Sequence, residues 1–114
     1  MHELSIVMSI IDIASTEAGK AGAKDIEEIE LDIGELSTVD MDAFNFAWQQ
    51  GVKDTLLQDS KINVNRIAGQ ARCLDCDIEF PVNEVYAPCP SCGQHLVEIV
   101  RGKELRVKSL VVHG

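Results

Sequence analysis

Basic residues are scarce in this sequence of 114 residues. Only 10 lysines and arginines stand against 19 aspartates and glutamates, which leaves a formal net charge of −9. A negative surplus repels the phosphate backbone of nucleic acids and the headgroups of anionic lipids. We therefore expect neither nucleic acid nor a membrane surface among the partners. The length suits one domain with a modest hydrophobic core, or two lobes of which one is small.

Long hydrophobic runs are also missing. No stretch approaches the roughly 18 uninterrupted apolar residues expected of a membrane span. Two serines and Asp12 interrupt the apolar segment 4–14, and Glu3 stands where a secretory signal would carry a basic flank. We therefore expect a cytoplasmic protein, in which thiols stay reduced and clustered cysteines bind metal more often than they form disulfides.

Histidine is rare, with only His2, His95 and His113. No serine or cysteine is evidently paired with one of them near a carboxylate, as nucleophilic catalysis requires. A hydrolase that uses His2 or His95 therefore has little support, and we expect a protein that is not an enzyme. His113, at the penultimate position, is expected to be solvated.

Apolar periodicity predicts two helices and a strand in the first half of the chain. Steps of three and four residues predict a helix over 4–18, and alternation predicts a strand over 29–33 with its carboxylates on a solvated face. Gly34 closes that strand. The sequence of residues 37–40, Ser-Thr-Val-Asp, has the form of a capping box, and a second helix follows over 41–52.

The second half of the chain is rich in β-formers. Residues 62–67 predict a strand that runs into a cysteine-bearing segment. After that segment, the β-branched runs 96–100 and 105–112 flank Arg101-Gly102-Lys103 and predict a hairpin. The expected fold is α+β: two helices packed on a small β-sheet, with an inserted zinc-ribbon-like domain.

Four cysteines form two CxxC pairs that are separated by twelve residues: Cys73, Cys76, Cys89 and Cys92. Each pair can wrap one side of a tetrahedral ion, and four thiolates leave zinc no open position, so the predicted zinc is structural. His95 could substitute as a ligand, but the thiolates already complete the shell. The alternative is two disulfides or redox-active pairs, and the latter would need a βαβ context that the pattern does not indicate.

The amino terminus offers a second candidate site. The amine, the first main-chain amides and the imidazole of His2 form a nitrogen-rich set that suits square-planar Ni(II) or Cu(II). Alternatively, His2 is solvated and Glu3 complements the positive end of the first helix. Asp40 could supply a further oxygen ligand, orient a metal ligand by a hydrogen bond, or start the second helix, and its place in the capping sequence favours the helix start.

Several motifs together resemble the HypA/HybF family of nickel metallochaperones over essentially the whole chain. They are the start Met1-His2-Glu3-Leu4-Ser5, Gly34-Glu35 after a strand, and the two cysteine pairs. The resemblance implies delivery of Ni(II) for maturation of [NiFe] hydrogenase, and in some organisms of urease. It implies a HypB-type GTPase and the hydrogenase large subunit or its maturation machinery as partners. His2 and Glu3 inherit the role of nickel ligands.

This interpretation divides the chain into two domains. Residues 1–69 and 94–114 are expected to form a discontinuous nickel-binding domain, and residues 70–93 a zinc-binding domain. Zinc is then a structural cofactor and nickel is the cargo. The competing hypothesis is an acidic zinc-ribbon adaptor that binds a protein partner and has no selective nickel site.

Overall fold

The structure is a computed structural model, and it describes residues 3–114. Two helices and six strands follow one another along the chain: α1 (Glu3–Lys20), β1 (Asp25–Gly34), α2 (Met41–Gly51), β2 (Lys61–Ile67), β3 (Gln70–Cys73), β4 (Glu79–Pro81), β5 (Val97–Arg101) and β6 (Leu105–His113). The two predicted helices are confirmed, and the first extends slightly beyond its predicted end. Met1 and His2 lie outside the described residues.

The first sheet has the strand order β2-β1-β6. β1 pairs in parallel with β2 and antiparallel with β6, so β1, α2 and β2 form a βαβ unit. The expectation that the chain lacks such a unit was therefore wrong. The cysteines nevertheless lie outside the βαβ unit, in and around the second sheet, so the unit does not supply a thioredoxin-like context for them.

The alternating pattern of β1 determines which face of the first sheet is buried. Ile29, Leu31 and Ile33 are fully buried against the helices, where they join Phe44 and Trp48 of α2. The two rings of α2 stack with centroids 6.0 Å apart. The helices therefore cover one face of this sheet, as the sequence predicts.

The second sheet is antiparallel, with the order β4-β3-β5. The predicted hairpin of residues 96–100 and 105–112 is wrong, because β5 pairs with β3 whereas β6 pairs with β1. Apolar contacts explain the separation. Val97 and Ile99 pack into the core beside the cysteines, whereas Val107 and Leu110 pack into the helix-covered core.

The position of β5 also bears on the expected domain boundaries. The predicted first domain includes residues 97–101, but these residues form their hydrogen-bonded ladder in the second sheet. The chain passes from the second sheet to the first at Gly102, which has a left-handed φ of 113°. The sheet of the cysteine region is thus larger than the segment between the cysteines and includes the strand that follows them.

Close backbone packing joins the two sheets. A Cβ atom on Gly34 would lie 1.9 Å from the carbonyl oxygen of Gly102, so no side chain fits at the end of β1. Two residues later, Leu36 donates its N–H to the same oxygen at 2.7 Å and buries its side chain in the core beside the cysteines. The segment after β1 thereby belongs to both cores.

Candidate metal centre

The four cysteine side chains converge on one point. Their sulfur atoms all lie within 4.8 Å of one another, and Cys73 Sγ is 3.7 Å from Cys92 Sγ. A tetrahedral ion with bonds of about 2.3 Å to sulfur separates its ligands by about 3.8 Å. The arrangement therefore fits one tetrahedrally coordinated metal ion, and the four residues predicted as zinc ligands are brought together.

The first cysteine pair lies on a tight turn after β3. The carbonyl of Cys73 accepts the N–H of Asp77 at 2.9 Å, and the N–H of Cys73 donates to the carbonyl of Ile78 at 2.9 Å. The N–H of Cys76 points at Cys73 Sγ from 3.4 Å. Asp77 closes the turn with a left-handed φ of 57°. One main-chain donor thus faces the Cys73 sulfur and supports its negative charge.

The second pair repeats this geometry. The carbonyl of Cys89 accepts the N–H of Gly93 at 2.8 Å, and the N–H of Cys89 donates to the carbonyl of Gln94 at 2.9 Å. Gly93 has a φ of 73°, the counterpart of Asp77 in the first turn. Two similar turns facing each other present two sulfurs each, which is the chemistry of a closed structural metal site.

The thiols of the cluster differ in their pKa. Main-chain N–H groups of Cys92 and Ser91 lower the pKa of the Cys89 thiol to about 7. A hydrogen bond with Cys92, together with burial, raises the pKa of Cys76 to about 12. Neighbouring thiolates repel one another, so all four lose their protons only when a cation supplies the opposite charge.

The metal centre is also part of the second core. Cys73 and Cys89 are almost fully buried and pack with Ala71, Phe80 and Val82. Cys92, in contrast, is exposed. A bound ion therefore links the buried side of this small core to its surface turn.

The amino-terminal candidate site is described only in part, because His2 lies outside the described residues. Glu3 is the first residue of α1, and its Oε2 accepts the main-chain N–H of Asp40 at 3.2 Å. Asp40 is therefore close to the amino end of the chain. Its own Oδ1 accepts the N–H groups of Asp42 at 3.0 Å and Ala43 at 3.3 Å.

This geometry confirms that Asp40 starts α2 but corrects the capping box. Asp40 is the N-cap residue, whereas Ser37 instead donates its hydroxyl to the carbonyl of Gly34 at 2.6 Å. A serine can make that local bond as readily as a cap, so the motif did not distinguish the two. Thr38, between them, adopts a left-handed φ of 63°.

The two remaining histidines lie apart from the sulfur cluster. Within residues 3–114 the cluster consists of the four cysteines alone, and His95 is exposed in the loop before β5. His113 is exposed as expected, and its Nδ1 lies 3.6 Å from Asp25 Oδ1. Sequence reasoning missed Leu36, whose isolated position after a strand gave no sign that it reaches a second core.

Among residues 3–114, neither helix combines the length and the apolar character that crossing a bilayer requires.

Comparison with known proteins identifies the family. The family model described as hydrogenase/urease nickel incorporation, metallochaperone, hypA matches residues 1–112. The hydrogenase maturation factor HypA of Parabacteroides distasonis is 45% identical over 112 residues, which cover 98% of this chain and 97% of that protein. HypA of Geobacter metallireducens is 39% identical over 98% of this chain and 99% of its own length.

Solved structures of HypA proteins also match this chain. The solution structure of the Ni metallochaperone HypA from Helicobacter pylori superposes with a TM-score of 0.74 at 31% identity, covering 100% of this chain and 99% of that one. A second solution structure of a HypA protein gives a TM-score of 0.73 at 31% identity, covering 98% and 96%. The fold is shared, and the chain belongs to the HypA family of hydrogenase and urease nickel-incorporation metallochaperones.

Proposed function

We propose that this protein carries Ni(II) at its amino terminus and delivers it for maturation of [NiFe] hydrogenase, while zinc at the four cysteines stabilises the fold. The observation that carries the proposal is the match to the nickel-incorporation family over residues 1–112. Urease is a second proposed recipient of the nickel, because the family description includes it. The competing hypothesis, an acidic adaptor without a nickel site, is disfavoured because it leaves the match at the amino terminus unexplained.

Zinc is the proposed occupant of the cysteine site because of its donor set. Four sulfur ligands in a tetrahedral arrangement suit Zn(II), and a closed shell leaves no position for substrate. Cys73, Cys76, Cys89 and Cys92 would hold the ion, which would supply folding energy rather than chemistry. The chain would then act as a carrier and not as an enzyme.

His2 and Glu3 are the proposed nickel ligands, together with main-chain nitrogen at the amino terminus. The contact between the Glu3 carboxylate and the N–H of Asp40 supports this assignment, because it holds Glu3 next to the start of α2. Asp40 already uses Oδ1 for the cap of α2, so its first role is to anchor this end of the helix. Nitrogen-rich ligand sets favour Ni(II) over Zn(II) by geometry.

Nickel delivery also suggests a compartment, partner proteins and a division into domains. We propose that the protein works in the cytoplasm, with a HypB-type GTPase and the hydrogenase large subunit or its maturation machinery as partners. We also propose two domains, a nickel-binding domain around α1, α2 and the first sheet, and a zinc-binding domain around the second sheet. The ladder between β3 and β5 favours extending the zinc-binding domain from residues 70–93 to about residue 101.

The test is nickel titration calorimetry on zinc-loaded protein with its native amino terminus. The variant His2→Ala should lose at least about tenfold in nickel affinity, since the imidazole is the strongest side-chain donor of the proposed set. His95→Ala, at an exposed histidine, is the matched control and should bind like the wild type. Zinc content should be unchanged in both variants.

The same titration tests the main-chain donors. Adding one residue before Met1 should also weaken nickel binding, because it moves the amine away from His2. If His2→Ala binds nickel as tightly as the wild type, the proposed site is wrong. If only the extended protein retains wild-type affinity, the site uses side chains without the amine.

A further inference from the structure

A small cleft lies between the segment that leads into α2 and the loop that precedes the second cysteine pair. Its volume is about 250 Å³. It is lined by Glu35, Leu36 and Thr38 of the first segment and by Asn83, Glu84, Val85 and Tyr86 of the loop. Sites for small molecules usually measure about 300–1,000 Å³. This cleft is therefore large enough for one or two side chains of another protein.

The cleft opens beside the proposed cargo site. Thr38 lies two residues before Asp40, and two residues of chain span at most about 7 Å. The N–H of Asp40 in turn lies 3.2 Å from the carboxylate of Glu3. A protein segment bound in the cleft would consequently be close to the amino terminus that holds nickel.

One wall of the cleft is an exposed aromatic surface. Tyr86, the single tyrosine of the sequence, is 81% exposed, while Val85 beside it is partly buried in the second core. Leu36 closes the floor and is 7% exposed. Tyrosine is one of the residues that most often contribute binding energy at protein interfaces. The cleft thus offers an apolar floor and a ring against which a large side chain can pack.

The rim of the cleft is negatively charged. Glu35 and Glu84 are both exposed, and within residues 3–114 neither carboxylate has an ion-pair partner. The outer face of the first sheet differs, because three carboxylates there face a cation: Glu28 with Lys61, Glu30 with Lys108 and Asp32 with Arg106. Unneutralised carboxylates around an apolar floor are complementary to a lysine or arginine that flanks an apolar side chain.

The wall formed by residues 35–38 is held in place from both sides. Leu36 is anchored in the second core and Val39 in the first, and the chain crosses between them at Thr38. A β-branched residue with a φ of 63° is strained, and such strain persists only where the surroundings determine the conformation. A wall that is fixed before binding reduces the entropy lost on docking.

We propose that this cleft docks a lysine- or arginine-bearing segment of the protein that receives the nickel. A large apolar side chain of that segment packs against Tyr86, and its cation lies near Glu35 and Glu84. The inference rests on the proposed function, because the nearby cargo site is what makes the docked protein a nickel recipient. The partner is therefore basic at its contact segment, whatever its overall charge.

The test compares binding of the zinc-loaded full chain to the purified GTPase and to the hydrogenase large-subunit precursor, by biolayer interferometry. Tyr86→Ala and the pair Glu35→Lys with Glu84→Lys remove the ring and reverse the rim charge. Leu74→Ala, at an exposed leucine between the two cysteines of the first pair and outside the cleft, is the control for the ring. Glu27→Lys with Asp59→Lys is the control for charge, at exposed positions outside the cleft.

The two cleft variants should each weaken binding to the hydrogenase large-subunit precursor by about tenfold or more, and the controls should stay within about twofold. Wild-type affinity of the cleft variants for the precursor would overturn the proposal, as would a loss confined to the GTPase, equal losses in the charge control or no binding by the wild type. Nickel titration separates this inference from the proposed function. The cleft variants should bind nickel with the affinity of the wild type. A wild-type protein that binds no nickel would refute the proposed function instead.

Discussion

Asp32 is the only charged side chain that is buried among residues 3–114, although it lies on the face of β1 opposite the helices. Arg106 of β6 donates Nε to its Oδ2 at 2.9 Å, and Asn65 of β2 donates to its Oδ1 at 3.0 Å. The same Asn65 amide donates to Glu30 at 2.8 Å. Both neighbouring strands thus cover this carboxylate and satisfy it, which is what a buried charge requires.

These contacts predict how the stability of the first core depends on pH. The hydrogen bonds from Asn65 and Arg106 hold the pKa of Asp32 below its ordinary value. A lowered pKa in the folded state adds stability above the unfolded pKa of about 3.9, and that stability is lost as the pH falls through the folded-state value. Asp32→Asn should therefore lower stability at neutral pH and flatten its decline below about pH 4.

Urea unfolding followed by the fluorescence of Trp48 measures this effect, because the single tryptophan lies in the first core and reports little on loss of metal in acid. Asp59→Asn, at an exposed loop position, should keep the wild-type slope between neutral and acidic pH. An Asp32→Asn protein with the wild-type slope would show that the network does not contribute.

Residue identity and spacing predicted the cysteine cluster but not the burial of Asp32. The two CxxC pairs identified all four members of the sulfur cluster, because a metal site requires particular donors at particular spacings. The burial of Asp32 could not be predicted. It depends on Asn65 and Arg106, which are 33 and 74 residues away in sequence, and the alternation of β1 indicated only a solvated face.

At the scale of elements, periodicity located the strands but not their partners. Residues 96–100 and 105–112 both show β-forming composition, and proximity along the chain suggested a hairpin. Pairing is instead decided by which core buries each strand, and the short connection at Gly102 crosses from one sheet to the other. The parallel pairing of β1 with β2 was missed for the same reason, because a crossover through α2 leaves no local turn signal.

Leu36 gives a testable case for the element that joins the sheets. Leu36→Ala removes one of the few large apolar side chains of the second core and should cost about 2–5 kcal/mol of the stability of that core. Leu74→Ala, at an exposed leucine of the same region, should have little effect. Hydrogen exchange of the amides of β3 in zinc-loaded protein measures the local stability. Equal protection of β3 in both variants would contradict the anchoring role of Leu36.

The whole molecule is elongated, with extents of 54 × 26 × 17 Å and a radius of gyration of 17.3 Å. A single compact domain of this length would have a radius of gyration of about 13 Å. The difference reflects two separate cores of unequal size. The first contains fifteen buried residues, most of them from the two helices and β1, whereas the second contains six, of which Cys73 and Cys89 are themselves candidate metal ligands.

This inequality predicts what happens when the metal is removed. Apart from its two cysteines, the second core has only four buried side chains: Leu36, which the first half of the chain contributes, and Ala71, Phe80 and Val82. So few apolar contacts do not offset the entropy of ordering the strands around them. Chelation, or replacement of Cys73 by serine, should therefore disorder the second sheet and leave the first core folded.

Heteronuclear NMR on the zinc-loaded and chelated protein separates the two outcomes. After chelation, the amide signals of β3, β4 and β5 should move to the chemical shifts of an unfolded chain. The signals of α1, β1 and the Trp48 indole should keep their native chemical shifts. Readdition of Zn(II) should restore the lost signals. Ser91→Ala is a control that changes the second cysteine turn without removing a thiol, and it should retain both the metal and the spectrum. A second sheet that stays ordered without metal would mean that its apolar contacts suffice, and the proposed structural role of zinc would then be wrong.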